Sequence, residues 1–289
     1  MRPFQRILNA FYLLTLRMLQ RHMGIVRTSP VLPPAERPRW DTIKPMPVSL
    51  ASNRHPVIIG HRGARGLAPE NTMPAFQIAA DLGIDGVEFD VQRTRDGQLI
   101  VFHDENPKRV TGVDGMVESM ALDEIKTLDA GSSFGPDFAG EPVPTLREVL
   151  DFLRPTNLLL FIELKDPWRY AGMEAAIIRL LREFDLIERT QVRSFYHAAL
   201  HLIHALEPAL AVSELWLDRL PTDDEVIYKT IDAYHPLYTA ENIAHIHGRG
   251  QQVTAWTVNE LDEARRLMDA GIDGLATDYP DRLLALFDA

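Results

Sequence analysis

The chain has 289 residues, 46% of them hydrophobic and 25% charged, and no cysteine. This excludes collagen-like, disordered and polytopic membrane classes, and with them any disulfide scaffold, thiolate zinc site or cysteine nucleophile. The formal charge of −11 argues against nucleic acid as a partner, but it is unevenly spread: residues 1–55 carry nine Arg/Lys against two acids, about +7, leaving about −18 on the remainder.

Residues 4–22 place Phe4, Ile7, Leu8, Phe11, Leu14, Met18 and Leu19 on one face of a helix, with Arg2, Arg6, Arg17 and Arg21 on the other. The charge-free run Ile7–Leu16 is about half of what spans a bilayer. Residues 1–23 therefore read as a cationic amphipathic helix suited to an anionic membrane surface. The competing readings are a helix docked on the domain or paired with another copy. No small-residue cleavage site follows the apolar run, which argues against a signal peptide. Residues 24–55 form a linker, because Pro30, Pro33, Pro34, Pro38, Pro45 and Pro47 leave no room for a helix. A folded domain is expected over 56–289.

From Pro56 onward short apolar runs alternate with amphipathic stretches. Strands are expected at 57–60, 86–91, 158–164, 190–195, 210–216, 232–236, 252–258 and 274–277. Helices are expected at 73–82, 145–153, 171–184, 197–206, 223–231, 240–249, 260–270 and 280–287. Thr145 with Glu148, and Asn259 with Asp262, have the spacing of capping boxes, and Gly271 closes a helix. Eight βα units point to an α/β fold, a (β/α)8 TIM barrel; a doubly wound sheet is the alternative. The run 99–103 follows the turn Arg95-Asp96-Gly97, so it returns as a hairpin on the second strand. Residues 104–144 are too long for a simple loop and are expected to form a small cap over the barrel mouth.

In such a barrel, chemistry sits where strands end. Glu88 and Asp90 are two apart on a strand and share a face; Glu163 and Lys165 repeat the pattern one barrel strand later. Three converging carboxylates suit a hard divalent cation, Mg²⁺ or Ca²⁺; the competing reading is a salt-bridge network with Arg62 and Lys165. His61 and His103 both end apolar runs at this rim. They fit a general acid and base, a pair of metal ligands, or buried hydrogen-bonded groups. Arg62 and Lys165 suit a phosphate anion. His197, His201 and His204 share a helix face, where core or surface histidines are commoner than ligands. Trp168, Tyr170 and Trp216 lie just past strand ends, where they could wall an apolar pocket.

The segments HRGARGLAPENTMPAF (61–76), GVEFDVQRTRDGQLIVFHD (86–104), FIELK (161–165), SF (194–195), WTVN (256–259) and GIDGLATDYP (271–280) resemble the glycerophosphodiester phosphodiesterases, in order, from about Pro56 to Leu286. The resemblance implies metal-dependent hydrolysis of a glycerophosphodiester to an alcohol and glycerol 3-phosphate. It implies His61 and His103 as the acid/base pair and Glu88, Asp90 and Glu163 as ligands of one divalent cation. Arg62 and Lys165 would hold the phosphate, with Glu70, Asn71 and Trp256 also on the substrate side. The attacker would be water or the substrate's own hydroxyl. The basic head adds an alternative, lysophospholipase D-type cleavage of a lysolipid at a membrane, and with it a cytoplasmic or peripheral-membrane location. A catalytically silent barrel that binds a phosphorylated ligand is disfavoured, because no histidine or acid of the set is missing.

Overall fold

The structure is a computed structural model that describes residues 50 and 55–287. The expected head helix and linker lie outside the described residues, apart from residues 50 and 55. Among the described residues nine strands form one sheet. Eight of them are parallel: β1 (Val57–Gly60), β2 (Gly86–Arg93), β4 (Leu159–Leu164), β5 (Thr190–Ser194), β6 (Ala211–Trp216), β7 (Thr230–Tyr234), β8 (Gln252–Trp256) and β9 (Gly274–Thr277). β1 pairs with both β2 and β9, so the sheet closes into a barrel. β3 (Leu99–Val101) runs antiparallel on the far end of β2, with Val91 opposite Val101. Gly97 makes this return possible at φ 88° in the turn, a conformation that costs a side-chain-bearing residue.

Helices α1 (Met73–Asp81), α4 (Leu146–Leu153), α5 (Met173–Glu183), α6 (His197–Leu206), α7 (Ala240–Gly248), α8 (Leu261–Asp269) and α9 (Pro280–Leu284) cover the outside. Two short ones, α2 (Lys108–Thr111) and α3 (Leu122–Ile125), belong to residues 104–144. That segment surrounds an apolar cluster of its own, containing Ile100, Phe102, Val110, Val117 and Ile125.

Two expectations fail locally. No helix forms at 223–231. The segment has two β-branched residues and a tyrosine in succession, Val226-Ile227-Tyr228, and buries alternate residues, Val226 and Tyr228 inward and Ile227 outward, as extended chain does. It then runs directly into β7. Asn259 does not cap α8, whose N-cap is Glu260. Its amide is engaged elsewhere, donating to Asp278 Oδ2 (2.8 Å) and accepting from Asp278 N (2.9 Å). The capping box at Thr145 and Glu148 is present. Gly271, at φ 89°, follows the end of α8.

The strands bury both faces. Outward residues such as Phe89 pack on the helices, its ring edge-on to Phe76 of α1 at 5.6 Å, both fully buried. Phe89→Ala is expected to cost about 3–5 kcal/mol. Urea unfolding would check this, and a loss below about 1 kcal/mol would contradict the packing. Inward residues fill the barrel in layers. The floor is apolar, with Val57, Ile59, Phe161, Ala211 and Ala276. Above it, Arg193 lies over the Phe161 ring (4.6 Å) and pairs with Asp232 (2.6 Å). Both are almost fully buried, and burial raises the Asp232 carboxyl to about 6. The layer nearest the carboxyl ends of the strands is charged, and it holds the candidate site.

Candidate active site

Glu88 and Asp90 point inward from β2, and Asp90 sits in register opposite Glu163 of β4. Glu88, Asp90 and Glu163 each offer a carboxylate oxygen, and these atoms lie within 4.8 Å of one another. Among the described residues this is the one group of potential ligands placed so closely. Burial pushes the Glu88 carboxyl well above the usual range, and the charges of Asp90 and Glu163 push it further. Burial alone would raise Asp90 too, but Lys165 and Arg62 override it and hold it well below that range. Lys165 Nζ reaches Glu163 Oε1 (2.5 Å) and Asp90 Oδ1 (3.1 Å). Arg62 Nε stands 3.4 Å from Asp90 Oδ2.

The turn after β1 is folded tightly against β2. Arg62 adopts a left-handed backbone (φ 51°), held by Arg62 N donating to Glu88 Oε2 (3.0 Å) and Gly63 N to Glu88 O (3.1 Å). Such a backbone is costly for any residue that carries a Cβ and persists only where its surroundings impose it. Asn71, also left-handed (φ 58°), donates its amide to Asp90 Oδ2 (2.8 Å) and accepts from Asp90 N (3.3 Å). Gly63 is required here: at φ 85°, a Cβ would stand 2.8 Å from the Ala75 backbone.

His61 Nδ1 bonds Asp278 Oδ1 at 2.6 Å, and its Nε2 is 3.9 Å from Glu88 Oε2. Burial lowers the His61 pKa, against the opposing hydrogen bond that its Nδ1–H donates to Asp278. His103 Nδ1 bonds Asp104 Oδ1, also at 2.6 Å. The hairpin delivers His103 to this rim because Phe102 N donates to Asp90 O (3.0 Å). A carboxylate on Nδ1 fixes the neutral tautomer as Nδ1–H and leaves Nε2 as the basic nitrogen.

Of the ten site residues expected from sequence, nine converge on this network. Glu70 accepts from Arg62 Nη1 (2.7 Å), and from Arg109 at both oxygens (2.6 and 2.9 Å). Burial opposes its ionisation, but the Arg109 and Arg62 contacts hold its pKa at about 2. Trp256 stands apart from that network. Its ring is edge-on to Phe195 (5.7 Å) and close to Tyr234 (5.9 Å). A cavity of about 420 Å³ opens beside Glu163 and Lys165, walled by Phe195, Tyr196, Trp216 and Leu217; Trp256 is not among its lining residues. Of the three aromatics expected as a pocket wall, Trp216 lines the cavity and Trp168 packs on Tyr196 (6.3 Å). Tyr170 is instead part of the core. His197, His201 and His204 do not converge on one another: His197 faces Glu214 and Trp216, while His201 bonds the Tyr228 hydroxyl and His204 packs on the Tyr228 ring.

Four residues were missed. Asp104 and Asp278 orient the two histidines, Asn259 holds Asp278, and Arg109 bridges Glu70 to Asp104. Asp104 is adjacent to His103, and Asp278 is the first residue past the last strand, the position rule that found the others. Arg109 carries no such signal, because it enters from the 104–144 segment.

A model of the glycerophosphoryl diester phosphodiesterase family matches residues 61–282. A glycerophosphodiester phosphodiesterase of Caldanaerobacter subterraneus subsp. tengcongensis is 38% identical over 236 residues, 80% of this chain and 97% of that one. The solved structure of an Oleispira antarctica phosphodiesterase, in complex with the product sn-glycerol-3-phosphate, is 30% identical with TM-score 0.75, covering 81% of this chain and 98% of that one. That of an Agrobacterium tumefaciens glycerophosphodiester phosphodiesterase is 28% identical with TM-score 0.68, covering 79% of this chain and 98% of that one. With a closed barrel, an acidic cluster between two cations and two carboxylate-held histidines at its mouth, the chain belongs to the glycerophosphoryl diester phosphodiesterase family and is a phosphoric diester hydrolase.

Proposed function

We propose that this hydrolase cleaves glycerophosphodiesters to an alcohol and glycerol 3-phosphate, with His61 and His103 as its acid/base pair. The observation that carries the reading is the pairing of each histidine with a carboxylate on Nδ1, at the same barrel mouth as a cluster that holds both acids and cations. The acids fit a metal. Three carboxylates crowd one another, Glu88 is held well above its ordinary pKa by burial and then by that crowding, and an all-oxygen donor set suits Mg²⁺ or Ca²⁺. When bound, a divalent cation supplies Lewis-acid polarisation of the phosphoryl oxygen.

The protein groups account for the rest. Arg62 and Lys165 bind the phosphate and oppose the charge that builds on its oxygens in the transition state. One imidazole takes through Nε2 the proton of the attacking water as the new P–O bond forms, or that of the substrate's own hydroxyl in a first step whose cyclic phosphate water then opens. The other, protonated, gives its proton to the alkoxide as the old P–O bond breaks. Asp278 and Asp104 fix the ring orientation and stabilise whichever imidazolium is formed. One half of the diester takes the cavity beside Lys165, which is walled by Phe195, Tyr196, Trp216 and Leu217.

The lysolipid alternative and membrane docking rest on residues 1–23, outside the described residues. Among the described residues no helix is long and apolar enough to cross a membrane, and nothing at the site favours an acylated substrate. The test is to incubate the full chain and Mg²⁺ or Ca²⁺ with glycerophosphocholine or lysophosphatidylcholine, and to follow release of glycerol 3-phosphate and choline. Glycerophosphocholine should be the better substrate by kcat/KM. Absence of glycerol 3-phosphate from it, or a clear preference for the lysolipid, would overturn the reading.

A further inference from the structure

Arg109 is the described member of the charged network that the 104–144 segment contributes through α2. Its guanidinium makes three charge-assisted hydrogen bonds. Nη1 and Nη2 donate to Glu70 Oε2 (2.9 Å) and Oε1 (2.6 Å), and Nε donates to Asp104 Oδ2 (2.6 Å). The two carboxylates it joins serve opposite ends of the proposed reaction. Asp104 holds His103 Nδ1 (2.6 Å), and Glu70 holds Arg62 Nη1 (2.7 Å). A continuous chain therefore runs from His103 through Asp104, Arg109 and Glu70 to Arg62, and on to Asp90 (3.4 Å).

We propose that Arg109 is a positioning residue that locks the proton-carrying His103 to the phosphate-binding Arg62, so that 104–144 completes the active site instead of merely covering it. The proposal rests on the reading of His103 and Arg62 given above. Its physical basis is competition for Glu70. Arg109 occupies both Glu70 oxygens, which restrains Glu70 from capturing Arg62 wholly for itself and leaves that guanidinium able to turn to a phosphate. On the other side, Arg109 fixes the Asp104 carboxylate in the plane that His103 needs. A planar fork can take both oxygens of one carboxylate and one oxygen of a second in a fixed geometry; a lysine can bridge two carboxylates, as Lys165 does, but cannot hold both in that planar, bidentate arrangement. Half the Arg109 side chain is exposed while Glu70 is 12% exposed, so loss of the guanidinium removes little buried surface.

The experiment compares wild type, Arg109→Ala, Arg109→Lys and the control Lys108→Ala, whose side chain pairs with Asp114 on the solvent side. Each is assayed on glycerophosphocholine with and without added guanidinium ion, with circular dichroism and thermal melts to confirm folding. Arg109→Ala should lose kcat by roughly 10-fold or more while KM moves by less than about 3-fold. Guanidinium should restore part of that loss in Arg109→Ala alone. Arg109→Lys should remain impaired at an unchanged melting temperature, and Lys108→Ala should match wild type. The proposal is overturned if folded Arg109→Ala keeps kcat within about twofold, if guanidinium fails to rescue it, or if lysine restores full turnover. A wild type that does not turn over glycerophosphocholine would instead overturn the functional reading.

Discussion

Alanine at either His61 or His103 is expected to lower kcat at least about 10²-fold, or about 2.7 kcal/mol of transition-state stabilisation, the ordinary cost of deleting a positioned acid or base. The geometry explains why both should be costly. Each ring is fixed by a short bond from Nδ1 to a carboxylate, Asp278 for His61 and Asp104 for His103, so neither can turn to cover for the other. The two losses should not add in the double variant, since one proton transfer is of little use without its counterpart. Steady-state kinetics on glycerophosphocholine would measure this. Near-normal kcat in either single variant would remove that histidine from the proton transfers.

Chelation is the second large effect. EDTA should abolish turnover, and added Mg²⁺ or Ca²⁺ should restore it; an enzyme indifferent to EDTA would rule out the metal reading. The same cluster gives a signal independent of activity. The folded-state pKa of Glu88 lies well above its unfolded value, because burial comes first and the charges of Asp90 and Glu163 add to it. A raised carboxylate pKa means that the folded state binds the proton more tightly. The stability it contributes is present below the unfolded pKa, about 4.3, and is lost as pH rises through the folded value. At neutral pH the metal-free protein therefore carries an electrostatic strain at this cluster, and a cation binding only the folded state relieves it. At a concentration of about 100 Kd, such binding adds about 2.7 kcal/mol. Melting temperature should rise with added cation in wild type and much less in Glu88→Gln, which removes one charged ligand and part of the strain together. Equal shifts in both proteins would place the cation elsewhere.

Much of this was legible in the sequence, for reasons that are local. The parallel barrel follows from short apolar runs alternating with amphipathic stretches, and the period of two puts Glu88 and Asp90 on one face whatever the rest of the chain does. His61 and His103 stand out because an apolar run ending in a histidine at a strand's carboxyl end has few structural reasons to exist. Where prediction failed, a longer-range contact had taken over a local signal. Asn259 has the spacing of a helix cap, but its amide is claimed by Asp278, 19 residues later. The stretch 223–231 has an amphipathic pattern, yet it feeds directly into β7 and Val226-Ile227-Tyr228 packs as extended chain.

Sequence by itself thus determined the barrel, and it singled out the acidic pair on β2, the two histidines and the cations of the candidate site, because each depends on neighbours within a few residues. Only the tertiary structure decided how they are held. Glu163 meets Asp90 through strand register, Asp278 reaches His61 across 217 residues because barrel closure sets β9 beside β1, and Arg109 joins Glu70 across 39 residues. Those pairings depend on chain closure and on which polar groups remain unpaired once the core is buried, and neither quantity is written in any short window of sequence.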